Sequence, residues 1–181
     1  MKIKIYLMAG LLMASCHFAH AQKNLISNGG FEEELESWTD YTAKTTTYIF
    51  KSGTSSVAVF AADDSKWLGL HQIVQLPKKS QYILLSAWMK ADQIAPAKEA
   101  WHGGLFKAEW LDGSEKIIGE SMTLTSIRSY QDWQLYEKAV IIPPGCSKIK
   151  VMFALAFAAG TMFVDDVSAK ILSQDEFEKY Q

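Results

Sequence analysis

The sequence that decides the fold is Asn28-Gly29-Gly30-Phe31-Glu32-Glu33, together with Phe163-Val164-Asp165-Asp166-Val167 near the other end of the chain. Both segments place carboxylates among apolar residues. An acidic side chain in such a pattern is rarely buried unless it is paired with a cation or binds a metal. We therefore interpret Glu32 and Asp165 as a pair that holds a structural cation between the first and last parts of the fold.

The chain has 181 residues, which is enough for one domain with a complete core and too few for two of ordinary size. Lys2 and Lys4 precede the apolar run Ile5–Met13, and Ala19-His20-Ala21 follows it. This order is typical of a secretory signal peptide, so we expect residues 1–21 to be removed. The protein would then be secreted, periplasmic or at the cell surface of a bacterium. The run is shorter than the roughly 20 residues that a membrane span needs.

A second export signal overlaps the first. Met13-Ala14-Ser15-Cys16 resembles a bacterial lipoprotein motif, which would leave the protein anchored through a lipid on Cys16. Cleavage after Ala21 would instead remove Cys16 and leave Cys146 alone, so that no disulfide could form within the chain. The sequence leaves both routes open.

The charge balance excludes some classes of partner. Without Lys2 and Lys4, the 18 basic residues fall to 16 against 20 acidic residues, a formal net charge of about −4. This balance argues against binding to nucleic acid. There is also no basic run and no basic amphipathic helix, which argues against attachment to a membrane surface.

The apolar residues recur with a period close to 2, in runs that are separated by turn-forming residues. This pattern predicts an all-β domain over residues 22–172, built as a two-sheet antiparallel sandwich. A short polar tail, which we expect to be helical, follows at Ser173–Gln181. The predicted strands are Thr45–Phe50, Ser56–Ala61, Leu68–Leu76, Tyr82–Ala91, Gly104–Leu111, Glu115–Thr123, Trp133–Ile142, Lys148–Ala158 and Met162–Leu172.

Alternation within the strands separates core positions from solvent-facing ones. The core set consists of Ile83, Leu85, Ala87, Met89, Phe106, Ala108 and Trp110. The opposite faces carry Trp88 with Lys90, and Lys107 with Glu109. In the strand that begins at Lys148, small residues such as Ala154 and Ala156 line the open face, as in the floor of a groove.

The order of these segments resembles the jelly-roll carbohydrate-binding modules of families 4, 9, 16 and 22, which belong to the galactose-binding-like sandwiches. The resemblance spans most of the mature chain. It rests on Asn24–Glu32 followed by Trp38, Lys51-Ser52-Gly53 with Ser56-Val57, Gln72–Leu76 leading to Tyr82 and Ser86, Trp133 before Val140–Gly145, and Val164–Val167. It implies a jelly roll, with Trp38 and Trp133 as apolar anchors of the core.

In such modules the opening Glu and the closing Asp help to hold a structural calcium ion. The resemblance therefore implies Glu32 and Asp165 as side-chain ligands, with Gly30 and Lys51 as carbonyl donors. Oxygen ligands of this kind suit calcium better than zinc. The competing interpretation is that both carboxylates only cap turns or pair with lysine.

Sugars bind by stacking on exposed aromatic rings and by hydrogen bonds to long polar side chains. The chain has six Trp and seven Tyr, and several lie at positions that we expect to face solvent or to lie in loops. The predicted carbohydrate-binding residues are Trp67, His71, Trp88, Lys90, Trp101, Lys107 and Glu109. The expected partner is an oligo- or polysaccharide, and the predicted function is non-catalytic capture.

Two other functions fit the same pattern. A β-sandwich can bind a protein, such as a component of an envelope complex. A jelly-roll polysaccharide lyase would need a basic and aromatic set, for which His71, Gln72, Lys107 and Tyr82 are the candidates. The Arg-rich strand of alginate lyases is absent, because Arg128 is the one arginine. No nucleophile elbow, metal triad or phosphate loop is present either.

Overall fold

The computed structural model describes residues 22–40, 42–95, 99 and 101–181. The predicted signal peptide and Cys16 lie outside these residues. Within the described chain, no helix is long and apolar enough to cross a bilayer. The described elements are β1 (Thr39–Asp40), β2 (Lys44–Thr46), β3 (Ser56–Ala61), β4 (Trp67–Gln75), β5 (Tyr82–Ile94), β6 (Gly103–Leu111), β7 (Met122–Ile127), β8 (Ser129–Ile141), β9 (Lys148–Ala156), β10 (Gly160–Leu172) and α1 (Gln174–Glu178).

The strands form two sheets of five strands each. We call the sheet with the order β1-β4-β9-β6-β7 the front sheet, and the sheet with the order β2-β3-β10-β5-β8 the back sheet. All strand pairings within them are antiparallel. The predicted all-β, two-sheet jelly-roll sandwich is therefore confirmed.

Aromatic rings fill the centre of the core between the two sheets. Phe106 and Phe153 stack with their ring centroids 4.6 Å apart. Trp38 lies 6.2 Å from Phe153 and 5.2 Å from Phe31. Phe31 belongs to the opening segment of the sequence, so this segment is fixed to the front sheet by packing. The prediction that Trp38 belongs to the core is confirmed.

The alternation predicted for the long strands is also confirmed. Ile83, Leu85, Ala87 and Met89 are fully buried in β5, while Trp88 and Lys90 on the other face are half-buried. In β6, Trp110 is buried toward the core. Each sheet therefore has one core face and one outer face, and the two outer faces lie on opposite sides of the sandwich.

The predicted strand Glu115–Thr123 is wrong, since the strand in this region is β7. The Asp112 carboxylate accepts hydrogen bonds from the N–H groups of Ser114 and Lys116 and closes a turn. Glu115 and Gly119 then adopt φ values of 66° and 69°, which interrupt an extended chain. Local turn chemistry therefore overrides the apolar pattern here.

Two neighbouring predictions also need correction. The residues between the predicted strands Glu115–Thr123 and Trp133–Ile142 are not a loop, because β7 ends at Ile127 and β8 begins at Ser129, which has a φ of 60°. The predicted strand Thr45–Phe50 shrinks to β2, because the residues after it form a loop that reaches Asp165.

Trp133 is not a core anchor. It is half-buried and lies on β8 where the pairing with β5 shifts register, between the pairs Met89–Gln134 and Ala91–Gln131. Such a bulge turns side chains away from the regular alternation. The prediction that Trp133 belongs to the core is therefore wrong.

The tail contains the expected helix, and this helix packs on the back sheet. Ser173 caps α1 in a capping box with Glu176. The side-chain amide of Gln22 donates to Glu176 at 2.5 Å, and Phe177 stacks on Tyr82 with centroids 4.4 Å apart. The start and the end of the described chain therefore meet at this helix.

Candidate functional site

The outer face of the front sheet brings together four of the predicted carbohydrate-binding residues. His71 on β4 and Lys107 on β6 both pair with Met152 of β9, so they lie in one row across the sheet. Two strand spacings separate them, about 10 Å. Glu109 lies in the next row, and Trp67 lies at the start of β4, where it pairs with Ala156.

These four side chains are half-buried and reach solvent from the same face. The small residues between them do not form the open floor that the sequence predicted. Ala154 and Ala156 are fully buried, and Met152 is 5% exposed. A ligand on this face would therefore contact the partly exposed side chains rather than the backbone beneath them.

The two ion pairs on this face differ in the distance between the lysine nitrogen and the carboxylate oxygen. Lys148 lies 2.8 Å from Glu115, which is the distance of a direct hydrogen bond. Lys150 lies 3.7 Å from Glu109, which is too far for one. Lys107 has no ion pair or side-chain hydrogen bond in the part of the chain that the structure describes.

The pKa of His71 lies below its ordinary value. Partial burial lowers the pKa because it penalises the charged ring, and the nearby Lys150 ammonium lowers it further. Glu109 acts in the opposite direction and does not overcome these two effects. The lowered pKa favours the uncharged ring, which can both donate and accept hydrogen bonds.

We expect the pKa of the His71 imidazole to lie below the ordinary histidine value of about 6.5. The ring-proton chemical shifts of this residue, followed by NMR against pH, measure this directly. Replacing Lys150 with glutamine would remove one cause of the lowered pKa, so the midpoint should rise. A midpoint above 6.5 in the unaltered protein would contradict the described surroundings of the ring.

Trp88 and Lys90 lie on the outer face of the back sheet, on the other side of the sandwich from Trp67. The ammonium of Lys51 lies 4.0 Å from the centroid of the Trp88 ring, so a cation already covers this ring. Lys90 forms an ion pair with Asp132 at 2.8 Å. The two residues therefore cannot share a groove with Trp67, as a single site would require.

Trp101 occupies a third place, at one end of the sandwich. Its ring makes edge contacts with His102 and Phe157, at centroid distances of 4.2 and 5.6 Å. Phe157 donates its N–H to the carbonyl of Lys66, so this cluster lies at the same end of the front sheet as Trp67. Trp101 is 55% exposed.

The opening and closing acidic segments meet, as the sequence predicted. A β-carbon added at Gly30 would lie 3.9 Å from a carboxylate oxygen of Asp165 and equally far from one of Asp166. The same position would lie 3.9 Å from the side chain of Glu32. Two carboxylates, those of Asp165 and Asp166, and the aliphatic stem of Glu32 therefore lie beside Gly30.

Asp165 is fully buried. One of its carboxylate oxygens accepts the N–H groups of Lys51 at 2.8 Å and Ser52 at 3.1 Å, and the other accepts that of Asp166 at 2.7 Å. Burial raises the pKa of Asp165 above its ordinary value, although these three N–H groups oppose the shift. No lysine or arginine forms an ion pair with Asp165 within the described residues.

Glu32 lies at the exposed side of this arrangement. Its carboxylate accepts the hydroxyl of Thr54 at 2.6 Å and the N–H groups of Thr54 and Ser55. The two bonds from Thr54, helped by that from Ser55, lower the pKa of Glu32. The φ of 63° at Gly53 favours glycine, and a β-carbon there would lie 2.2 Å from a Glu32 oxygen, so a larger residue would displace this carboxylate.

These residues fit a cation that is held mainly by oxygen atoms. A buried carboxylate without a cationic partner, beside the carboxylate of Asp166, is an environment that a calcium ion would neutralise. In the described chain, no group of three or more His, Cys, Asp and Glu side chains is arranged to hold a metal. Main-chain carbonyls such as those of Gly30 and Lys51 would therefore have to complete the ligand set.

The set that a lyase would need is not assembled. Tyr82 lies in the back sheet against Phe177, whereas His71 and Lys107 lie in the front sheet. Gln72 points into the sandwich, where its amide exchanges two hydrogen bonds of 2.9 Å with the backbone of Ser27.

Sequence reasoning left two residues out of these sites. Lys150 lies on the outer face beside Glu109, and the alternation along β9 would have placed it there. Asp166 lies beside Asp165 because β10 bulges between Asp165 and Ser168 and Asp166 adopts a φ of 49°. No signal in the sequence marks that bulge.

Comparisons with known proteins agree with this geometry at the level of the fold. No protein-family model and no curated protein matches the sequence. A family 61 carbohydrate-binding module, solved in complex with β-1,4-galactotriose, has a TM-score of 0.58 at 16% identity and covers 83% of this chain and 99% of its own. A family 16 carbohydrate-binding module has a TM-score of 0.56 at 22% identity, with coverages of 81% and 99%.

The enzymatically active domain of tailspike protein 4 from bacteriophage CBA120 has a TM-score of 0.66 at 16% identity. The match covers 82% of this chain but only 21% of the tailspike chain. Modules of families 4 and 22 also match. At these identities the likeness shows the fold, which is the jelly roll of carbohydrate-binding modules, and the predicted resemblance to that fold is confirmed.

Proposed function

We propose that this chain is a non-catalytic carbohydrate-binding module that captures an oligo- or polysaccharide on the outer face of the front sheet. The observation that carries the proposal is the grouping of a half-exposed Trp67 with His71, Lys107 and Glu109 on that face. Trp67 supplies an aromatic surface for a sugar ring. The three polar side chains supply hydrogen-bond donors and acceptors for hydroxyl groups.

The fold supports the proposal because several solved jelly rolls that match this chain are carbohydrate-binding modules. Trp101 stands at the same end of the sheet as Trp67 and could extend the binding surface there. Trp88 and Lys90 have no part in this site, because they lie on the opposite face and are already engaged with Lys51 and Asp132.

The test is retention of the chain lacking residues 1–21 by polysaccharides in affinity electrophoresis, over a panel of neutral and acidic glycans. We expect retardation by at least one glycan and no release of shortened or unsaturated products during long incubation. Retardation by none of them would contradict the proposal, and product release would make the protein an enzyme.

We further propose that a calcium ion stabilises the closure between the opening and closing segments. Asp165 and Glu32 would be the side-chain ligands, with main-chain carbonyls of Gly30 and Lys51. When bound, the ion would neutralise the buried carboxylate of Asp165. Its role is structural, because this closure lies away from the outer face of the front sheet. Export of the protein, through cleavage after Ala21 or lipidation of Cys16, is also part of this proposal.

A protein partner is the second candidate function. Strand β8, at the edge of the back sheet, exposes Tyr130 by 68%, Leu135 by 40% and Ile141 by 63%. Exposed apolar side chains along one strand favour contact with another protein. Capture of an envelope protein by the unaltered chain, lost after Leu135→Ser and Ile141→Ser, would support this candidate.

A further inference from the structure

We propose that the outer face of the front sheet prefers glycans that carry carboxylate groups, such as uronate-containing polysaccharides. This inference rests on the proposed function, because it names the chemical class of ligand for the same face. It rests on the lysines of this face and on which of them form a hydrogen-bonded ion pair with a carboxylate.

Lys107 supplies one unpaired ammonium on this face, among the described residues. It lies in the middle row of the face, between Met152 and Thr123, and it is half-buried. Its ammonium has no partner among the described residues. A lysine can bury its stem while its ammonium reaches solvent, so an anionic ligand would find an unused donor here.

Lys150 adds a second available ammonium. It lies on the neighbouring strand, diagonally from Lys107, where β-carbons are about 7 Å apart. Its distance of 3.7 Å from Glu109 leaves its hydrogen-bonding capacity largely unused. Lys148 differs, because it is bonded to Glu115 at 2.8 Å. Two neighbouring lysines can therefore point toward one carboxylate or toward carboxylates on adjacent sugars.

The balance of charge on this face also favours an anionic ligand. Three lysines face two glutamates, Glu109 and Glu115, whereas the whole chain has a formal net charge of −2. On the back sheet, Lys90 is paired with Asp132 and Lys51 lies over the ring of Trp88. Lysine-to-carboxylate hydrogen bonds are stronger than bonds to sugar hydroxyl groups, so a carboxylate would decide which glycan is preferred.

The test compares matched pairs of polysaccharides that differ in the carboxylate alone. Polygalacturonate, alginate and glucuronoxylan would each be paired with their methyl-esterified or carboxyl-reduced form in affinity electrophoresis. We expect at least one acidic form to be bound about tenfold more tightly than its neutral form, with an advantage that falls as salt is added.

Two variants locate the effect. Lys107→Gln and Lys150→Gln should each reduce the preference for the acidic form by several-fold, while Lys138→Gln, on exposed β8, should leave it unchanged. Thermal unfolding of each variant shows whether it has folded. If one of the two lysine variants does not fold, the other is enough to test the inference. Equal or better binding of the neutral forms would overturn this inference and leave the proposed function standing. Binding to no glycan at all would overturn both.

Discussion

Replacing Asp165 with alanine is expected to lower the free energy of unfolding by about 3 kcal/mol, because three N–H groups would lose the buried carboxylate that accepts their hydrogen bonds. These groups belong to Lys51, Ser52 and Asp166, so the loss would loosen the loop before β3 as well as the bulge in β10. Urea denaturation of both proteins without calcium measures the difference. A loss below about 1 kcal/mol would contradict the role of this carboxylate in joining the two segments.

The same position separates calcium binding from hydrogen bonding. Asp165→Asn keeps one oxygen acceptor and removes the charge that a cation needs. We expect calcium to raise the Tm of the unaltered protein and of Asp92→Asn, an exposed control on β5, because a ligand that binds the folded state stabilises it. The Tm of Asp165→Asn should not respond. An equal response in all three proteins, or none in the unaltered protein, would contradict the proposed calcium ion.

Replacing Trp67 with alanine is expected to weaken glycan binding by tenfold or more, because aromatic residues carry a large share of binding energy at such surfaces. Trp88→Ala is the matched control, since it removes the same side chain from the opposite outer face. We expect Trp88→Ala to bind glycan like the unaltered protein. Isothermal titration calorimetry with the glycan selected by the panel gives both affinities.

These two variants can also contradict the proposed location. If Trp88→Ala abolished binding and Trp67→Ala retained it, the site would lie on the back sheet, under the ammonium of Lys51. If both retained binding and Trp101→Ala lost it, the site would lie at the end of the sandwich. Unfolding of each variant should be measured first, because both tryptophans are half-buried.

The fold could be predicted from sequence largely because alternation in long strands has a direct physical cause. Side chains of successive strand residues point to opposite faces, so Ile83, Leu85 and Met89 had to be buried together if one face was. The meeting of the opening and closing segments, where Val167 donates its N–H to the carbonyl of Gly29, was also predicted. The buried carboxylate of Asp165 finds its hydrogen-bond partners in the loop before β3, whereas Glu32 is exposed.

Short-range turn chemistry limited the prediction elsewhere. The segment after Asp112 carries enough apolar residues for a strand, but the Asp112 carboxylate closes a turn and Glu115 adopts a positive φ. Trp133 has the composition of a core anchor, and a register shift in β8 moves it out of the core. Such shifts depend on the partner strand, which local sequence does not specify.

Which predicted residues share a site could not be predicted, because this depends on which strands pair with each other. Alternation distinguishes inward from outward residues, and it correctly placed Trp88 and Lys107 outward. It does not say which sheet a strand joins, so Trp88 on β5 and Lys107 on β6 appeared to belong to one surface. The pairing of β5 with β10, and of β6 with β9, puts them on opposite sides.

The most direct test of glycan binding on the front sheet is an NMR titration of the isotope-labelled protein with the glycan that the panel selects. We predict that the largest shift changes fall on the backbone amides of His71 and Lys107 and on the indole N–H of Trp67. The amides of Trp88 and Leu135, on the back sheet, should not move. Changes confined to β5 and β8, with the front sheet unaffected, would contradict the proposal.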